Sequence, residues 1–224
     1  MPISLSGNAL KLIAAAAMFI DHMGLMLFPH NLTFRLIGRL AFPIYAFMIA
    51  EGCKYTRDRK RYFLSLFLLG LACQVVYFVV DGSLYLSILF TFSLSILVIY
   101  ALNDLKENPC LSAGMRLGAA LGGALLLNQV FSIDYGFAGC LVPVFASLLH
   151  KTKHDTIPNN VAMLGLGLVL LAAESGAAQY FSLLALPLLL LYSGKRGKLR
   201  MKSFFYIFYP AHLAFLQLVA WLMA

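Results

Sequence analysis

Apolar runs long enough to cross a bilayer recur along almost the whole chain, and nothing else in the sequence constrains the fold as much. The hydrocarbon core of a membrane is about 30 Å thick, so a spanning helix needs about 20 largely apolar residues. Read with windows of that length, the sequence holds nine apolar segments. They are approximately Ala9–Phe28, Thr33–Cys53, Tyr62–Val80, Leu84–Leu102, Leu111–Leu127, Ile133–Leu149, Val161–Ala173, Gln179–Tyr192 and Ser203–Met223. The seventh and eighth are short, so they are expected to be tilted, broken or extended by flanking residues. With 62% hydrophobic and only 12% charged residues, the chain lies far from the roughly half apolar, quarter charged make-up of soluble domains. No stretch is polar and long enough for a separate soluble domain. The expected fold class is all-α: a polytopic helical membrane protein of about nine transmembrane helices, with residues 1–224 forming one transmembrane domain.

The loops set the expected orientation. Lys54, Arg57, Arg59, Lys60 and Arg61 follow the second segment, and Lys195, Arg196, Lys198, Arg200 and Lys202 follow the eighth. Lys106 follows the fourth, Arg116 opens the fifth, and Lys151 and Lys153 follow the sixth. With nine helices all of these fall on one side, while the opposite loops carry Asp81, Asp134 and Glu174 and no Lys or Arg outside the segments. The positive-inside rule then places the N-terminus in the cytoplasm and the C-terminus outside. The same distribution explains the formal charge of +8 as topology, and argues against a nucleic-acid partner. The opening residues lack a basic n-region and the first apolar run is long enough to span, so no cleavable signal is expected. Cys53, Cys73, Cys110 and Cys140 have neither metal nor redox spacing and read as small packing residues.

Function is expected where ionisable groups lie at membrane depth, because each costs about 2.5–3.5 kcal/mol at a helix centre unless it faces a cavity or a partner. The first segment carries three: Lys11, Asp21 and His22. Lys11 and His22 are eleven residues apart, close to three helical turns, so they share a face about 16 Å apart along the axis. Asp21 points about 100° away from His22 and is better placed to meet another helix.

The short turn Pro29–Thr33 makes a hairpin of the first two segments and puts His22 and Arg39 at matching depth, about 10 Å below the outer surface. Arg39 cannot shed its charge and needs an acceptor or a bound anion. Asp21 is the nearest carboxylate, so an Asp21–Arg39 ion pair that locks the hairpin is one reading of both residues. Arg35 shares a face with Arg39 and also reads as an interface anchor. His22 is a candidate general base, set against a packing histidine. His212, with Tyr209 three residues earlier, is a second candidate in the last segment. The stretch Ile133–Gly139 has glycines that permit close backbone approach. Glu51, His30, His150 and His154 read as solvated residues, and no histidine spacing supports a zinc site. The basic Lys54–Arg61 loop reads either as a phosphate holder or as a plain positive-inside anchor.

Taken in order, Lys11 with Asp21-His22, Gly38-Arg39-Leu40-Ala41-Phe42-Pro43, Tyr135-Gly136 with Ala138-Gly139, and Phe208-Tyr209 with His212-Leu213 resemble the TraX family over nearly the whole chain. That family is named for an inner-membrane protein that acetylates the N-terminus of pilin. The spacing of Lys11 and His22 is also similar to the basic-x10-His motif of the membrane acyltransferase-3 group. The resemblance implies a bacterial inner-membrane acetyltransferase that takes acetyl-CoA from the cytoplasm and acts on an amine or hydroxyl at the outer side. The acceptor would be pilin, another envelope protein or a glycan. It implies His22, with Asp21 and Arg39, as the catalytic group, and Lys11, Arg35, Tyr135, Tyr209 and His212 around the donor, with no metal. Two other classes stay open on the same residues: a small proton-coupled transporter and a non-catalytic pilus or envelope assembly factor.

Overall fold

A computed structural model describes residues 4–199 and 201–223. Arg200, which enters the charge reading above, lies outside the described residues, as does Ala224 at the C-terminus, and so do the side chains of Asp81 and Lys202. The described chain is all-helical: α1 (Gly7–Leu27), α2 (Leu32–Gly38), α3 (Ala41–Tyr55), α4 (Arg59–Asp81), α5 (Ile88–Glu107), α6 (Leu111–Val130), α7 (Gly136–Ser147), α8 (Ile157–Ser175), a 3-10 stretch (Ala177–Ala185) running into α9 (Leu186–Leu190), and α10 (Lys202–Met223). Each of the nine apolar segments becomes helical. Among the described residues six are long and apolar enough to cross a membrane: α1, α2 with α3, α4, α5, α8 and α10.

Of the other three segments, the fifth is an unbroken 20-residue helix, α6, that carries Arg116 and three other polar side chains besides its four glycines; the sixth and eighth depart from plain spanning helices, as does the second within its span, for visible reasons. The sixth reaches only from Gly136 to Ser147, twelve residues or about 18 Å at 1.5 Å per residue, because Ser132 and Asp134 are used in extended pairing with Leu86. Leu86 N donates to Ser132 O and Asp134 N to Leu86 O, both at 2.9 Å. The eighth is a 3-10 stretch followed by a short helix with Pro187 in its first turn. The second is one span broken at Arg39–Leu40. Pro43 has no N–H for the carbonyl of Arg39, and its ring crowds that turn. The chain instead tightens there, with Arg39 N donating to Arg35 O and Leu36 O and Leu40 N to Ile37 O.

Side-chain caps set several starts, as helix ends leave N–H groups unpaired: Ser6 accepts from Ala9 N, Asp58 from Arg61 N and Thr156 from Asn159 N. The core lies between α1, α3, α5, α7 and α8, where Leu10, Ile44, Ile96, Val142, Leu164 and Leu168 are fully or almost fully buried. Polar side chains tie α5 to α7 inside it: Ser95 Oγ donates to Cys140 O at 2.7 Å and Thr91 Oγ1 to Asp134 O at 2.6 Å. Where water is absent these bonds replace hydration. α4 packs on α5 and α10 on α1, leaving both with apolar outer faces, as lipid contact requires.

Candidate functional site

A cavity of about 930 Å³ runs alongside α1 from Gly7 to Leu25, a length of about 27 Å at 1.5 Å per residue. At one end it is lined by Tyr55, Asp58, Arg61, Gly194 and Arg196, and at the other by Arg35, Tyr85 and Asp134. Lys11, Asp21, His22, Arg35, Arg39, Tyr135 and Tyr209 all line it, so seven of the eight sequence candidates share one space. Lys11 and His22 share the face predicted for them.

His212 is the eighth and stands behind His22. Its Nδ1 lies 2.8 Å from Phe208 O, a group that only accepts, so Nδ1 carries the proton and Nε2 presents a lone pair. That lone pair faces His22 Nδ1 at 3.2 Å, and His22 Nδ1 also lies 2.9 Å from Met18 O. Both partners accept, so the His22 proton sits on Nδ1 and is shared between them. Nε2 of His22 is left unprotonated, on a residue that lines the cavity. His212 is therefore a backing group for His22 and does not itself line the cavity. Phe208 stacks on it at 4.9 Å, and Tyr209 meets it edge-on at 5.8 Å.

The Asp21–Arg39 pair does not form. Asp21 Oδ2 accepts from Arg35 Nη1 at 2.6 Å, which also removes Arg35 from the role of a plain interface anchor. The break at Arg39–Leu40 is the reason: Arg35 stays in the last turn of α2 facing α1, and Arg39 leaves that face. Gly38 makes the approach possible, since a Cβ there would lie 2.1 Å from Asp21 Oδ1. Arg39 turns to Tyr135, whose hydroxyl lies 3.4 Å from its Nη1, and its buried Nε has no partner.

Tyr135 is placed by a strained turn, with φ +60, a left-handed conformation uncommon for a residue with a Cβ. Its ring stacks on Phe42 at 4.1 Å, and a Cβ at Gly139 would lie 2.3 Å from its own Cβ. The two glycines of this stretch have different reasons: one helix turn on, Gly139 leaves room for the tyrosine, whereas Gly136 has open space around it and is needed for its own φ of +60. Beside it Tyr85 Oη donates to Asp134 Oδ1 at 2.9 Å.

Sequence reasoning missed several polar residues here. Tyr85 and Asp134 stand at the very start of the fourth and sixth apolar segments, where depth gives no signal, and the structure places both in the loops just before α5 and α7. Glu51 and His150 were read as solvated, but they are buried to 5% and 1% exposure. Nε2 of His150 lies 3.8 Å from Glu51 Oε1, beyond hydrogen-bond reach, and neither ring nitrogen has a hydrogen-bond partner. Burial holds the His150 imidazole down at about 4, against the pull of Asp155, so it is neutral near pH 7. Burial pushes the Asp155 carboxyl up, but hydrogen bonds from Lys54, Asn160 and the Lys151 amide outweigh it and hold it at about 2. No group of three or more His, Cys, Asp or Glu residues able to hold a metal occurs among the described residues.

The chain matches the family model described as TraX protein over residues 6–220. It belongs to the TraX family. It is also similar to a probable fimbrial assembly protein, FimC of serogroup H1, from Dichelobacter nodosus, at 27% identity over 96% of this chain and 95% of the relative. No solved structure matches. This TraX protein is thus a helical protein of membrane character whose polar residues converge on one long cavity.

Proposed function

We propose that this TraX protein is an acetyltransferase of the bacterial inner membrane, moving an acetyl group from cytoplasmic acetyl-CoA to an amine or hydroxyl at the outer side. The observation that carries the proposal is the His22–His212 pair beside a cavity that reaches from the basic loops to the opposite end. The acceptor heteroatom attacks the thioester carbon and gives its proton to His22 Nε2. The C–S bond then breaks, and the thiolate of CoA takes that proton from the imidazolium. His212 Nε2, accepting from His22 Nδ1, steadies the charged ring. Arg39, with its unpartnered Nε, faces the oxyanion that forms on the carbonyl oxygen, and the Tyr135 hydroxyl holds the guanidinium in place. Asp21 keeps Arg35 aligned beside them. The nine segments are taken as nine spans, with the N-terminus and the Lys54–Arg61 and Lys195–Lys202 loops cytoplasmic. Acetyl-CoA is then on the side of the cavity's basic end.

The name of the Dichelobacter relative, a fimbrial assembly protein, supports a pilus-related role and a pilin or another envelope protein as acceptor. The same name favours a second reading, a non-catalytic assembly factor. Purified protein with labelled acetyl-CoA and a membrane extract tests the proposal. Label should appear in an envelope component, and His22→Gln should lower transfer by roughly 10²-fold or more while leaving the protein folded. If His22→Gln transfers like the parent, His22 is structural. If no label moves but the variant still supports fibre assembly, the assembly reading stands; solute flux without consumption of CoA points to transport.

A further inference from the structure

We propose that the unpacked junction between α4 and α10 is a side port through which the cavity takes a second class of acceptor, a single-chain amphiphile whose amine or hydroxyl head reaches His22 while its chain lies between the two helices. The proposal goes beyond a polypeptide acceptor and rests on the acetyl-transfer reading for the reaction. Five helices wall the middle of the cavity, α1, α3, α5, α4 and α10, the last two through Leu66, Leu69, Phe205, Tyr206 and Tyr209. Going round this ring, α10 packs on α1, α1 on α3, α3 on α5 and α5 on α4. Among the described residues the ring is not closed in the same way between α4 and α10, whose backbones share no packed interface. In a membrane, lipid lies beyond that junction: α4 and α10 are the least buried of the six candidate spans, and they carry the exposed Leu68 and Ile207.

Side chains fill the junction where backbone packing does not. The Tyr206 hydroxyl is hydrogen-bonded to Ser65 of α4, whose Oγ donates onward to Arg61 O at 2.7 Å. Tyr209 is buried in one cluster with Cys73 of α4, and it meets His212 edge-on at 5.8 Å. A group that passes Tyr209 is therefore beside the histidine pair. Pro210 lies within α10 and gives the Tyr206 carbonyl no N–H. The turn that carries Phe205 and Tyr206 can thus bend away from the part of the helix that holds His212.

The shape and chemistry of the junction identify what it takes. From Ser65 to Cys73 it runs eight residues along α4, about 12 Å, the length of about ten bonds of an extended chain. A helix is about 10–12 Å across, and seating one would drive α10 off α1 and break the His22–His212 contact. An extended chain needs about 5 Å, the spacing of neighbouring strands. A polypeptide in that form would leave its N–H and C=O groups unpaired in hydrocarbon, and Leu66, Leu69 and Phe205 offer them no partner. An alkyl chain has no such groups. Direction agrees as well. The junction runs from Tyr209, beside His212, towards Phe205, whose ring centre lies 6.0 Å from Lys11 Nζ, and so from His22 towards the basic end. A head at His22 with its chain descending that way is the pose of an amphiphile of the outer leaflet in the orientation proposed above. Its nitrogen or oxygen bonds to the thioester carbon, its proton goes to His22 Nε2, the C–S bond breaks, and the departing thiolate takes that proton.

The test places the full-length protein in phosphatidylcholine nanodiscs with hexadecylamine that carries a diazirine at mid-chain. Irradiation should give saturable adducts on Leu69 and Phe205, displaced by plain hexadecylamine and not by propylamine, above an unsaturable background on Leu68 and Ile207. Leu69→Trp fills the junction and should lower the saturable adducts on Phe205 about tenfold. Leu66→Phe, a smaller filling, should do so to a lesser degree, and Leu68→Trp should leave them unchanged. With labelled acetyl-CoA the parent should acetylate hexadecylamine, and Leu69→Trp should cut that transfer about tenfold more than it cuts transfer to propylamine. Background labelling alone overturns the port, as do saturable adducts untouched by both filling variants. If a diazirine phosphatidylcholine labels Leu69 and Phe205 and hexadecylamine does not displace it, the junction holds structural lipid and the acceptor assignment falls. Saturable labelling of the junction with no acetyl transfer to any acceptor would sink the catalytic reading alone; transfer to an envelope protein with the junction unlabelled would sink the port alone.

Discussion

Asp21 is gripped on one side by Arg35 and pressed on the other by the backbone of Gly38. With both side chains partly shielded, at 29% and 19% exposure, the pair is worth more than a surface ion pair and less than a fully buried one. Asp21→Asn and Arg35→Gln should each lower stability by about 1–3 kcal/mol. The double replacement should cost less than the sum, while Asp21→Asn with Arg39→Gln should be close to additive. Thermal unfolding in detergent reads the cycle, and strong coupling of Asp21 to Arg39 instead would refute the geometry. Gly38→Ala should cost about as much as removing the arginine, because the new methyl must displace the carboxylate or the helix. The depth of Lys11, Asp21, His22, Arg39 and His212 was legible in the sequence as ionisable residues within apolar runs. Which arginine meets Asp21 was not, since one broken turn changes the azimuth of every residue beyond it. The contact of His22 with His212 joins residues 190 positions apart, a separation at which periodicity carries no information.

The break between α2 and α3 is the element on which Arg39 depends. Pro43→Ala would give the Arg39 carbonyl an N–H and remove the ring's crowding, so a continuous helix becomes available. Stability should hold or rise slightly. Arg39 should swing away from Tyr135, and acetyl transfer should fall about tenfold, the scale of one weakened oxyanion contact or less. Equal turnover in Pro43→Ala would show that the break is a packing detail. α7 makes the complementary case: Gly139→Ala sets a methyl against the Tyr135 side chain and should destabilise by about 1–3 kcal/mol, read as a lower melting temperature. The proline and the glycine pair were visible as residues, and close approach was the expected use of the glycines. The positive φ of Tyr135, the reason the approach is needed, carries no composition signal, because the position is not glycine.

Across the whole molecule the two ends are closed differently. At the outer end, in the proposed orientation, backbone pairing of Leu86 with the Ser132–Asp134 segment holds the loops. At the basic end ion pairs bind three loops together: Lys54 to Asp155 at 2.8 Å, Arg59 to Asp104 at 2.5 Å, and Lys151 to Glu107. The positive bias of these loops was legible; their use as fasteners over a buried histidine was not, because a loop read alone looks solvated. This closure makes the fold sensitive to acid in a defined window. The His150 imidazole titrates at about 4 in the folded protein against an ordinary value of 6.5. Below the ordinary value the unfolded chain binds a proton that the folded chain refuses, so stability rises with pH across the window and is lost as pH falls from about 6.5 to about 4. Asp155, held at about 2 against an ordinary 3.8, adds a second loss only below about 4, where the unfolded carboxylate takes up its proton first. His150→Leu fills the same buried place without a titrating group. The melting temperature of the parent minus that of His150→Leu should be constant above about pH 7, fall steadily between about 6.5 and 4, and level off below. A difference that stays flat through that window would mean that His150 reaches a proton acceptor in the folded protein and that the loops over it are open to water.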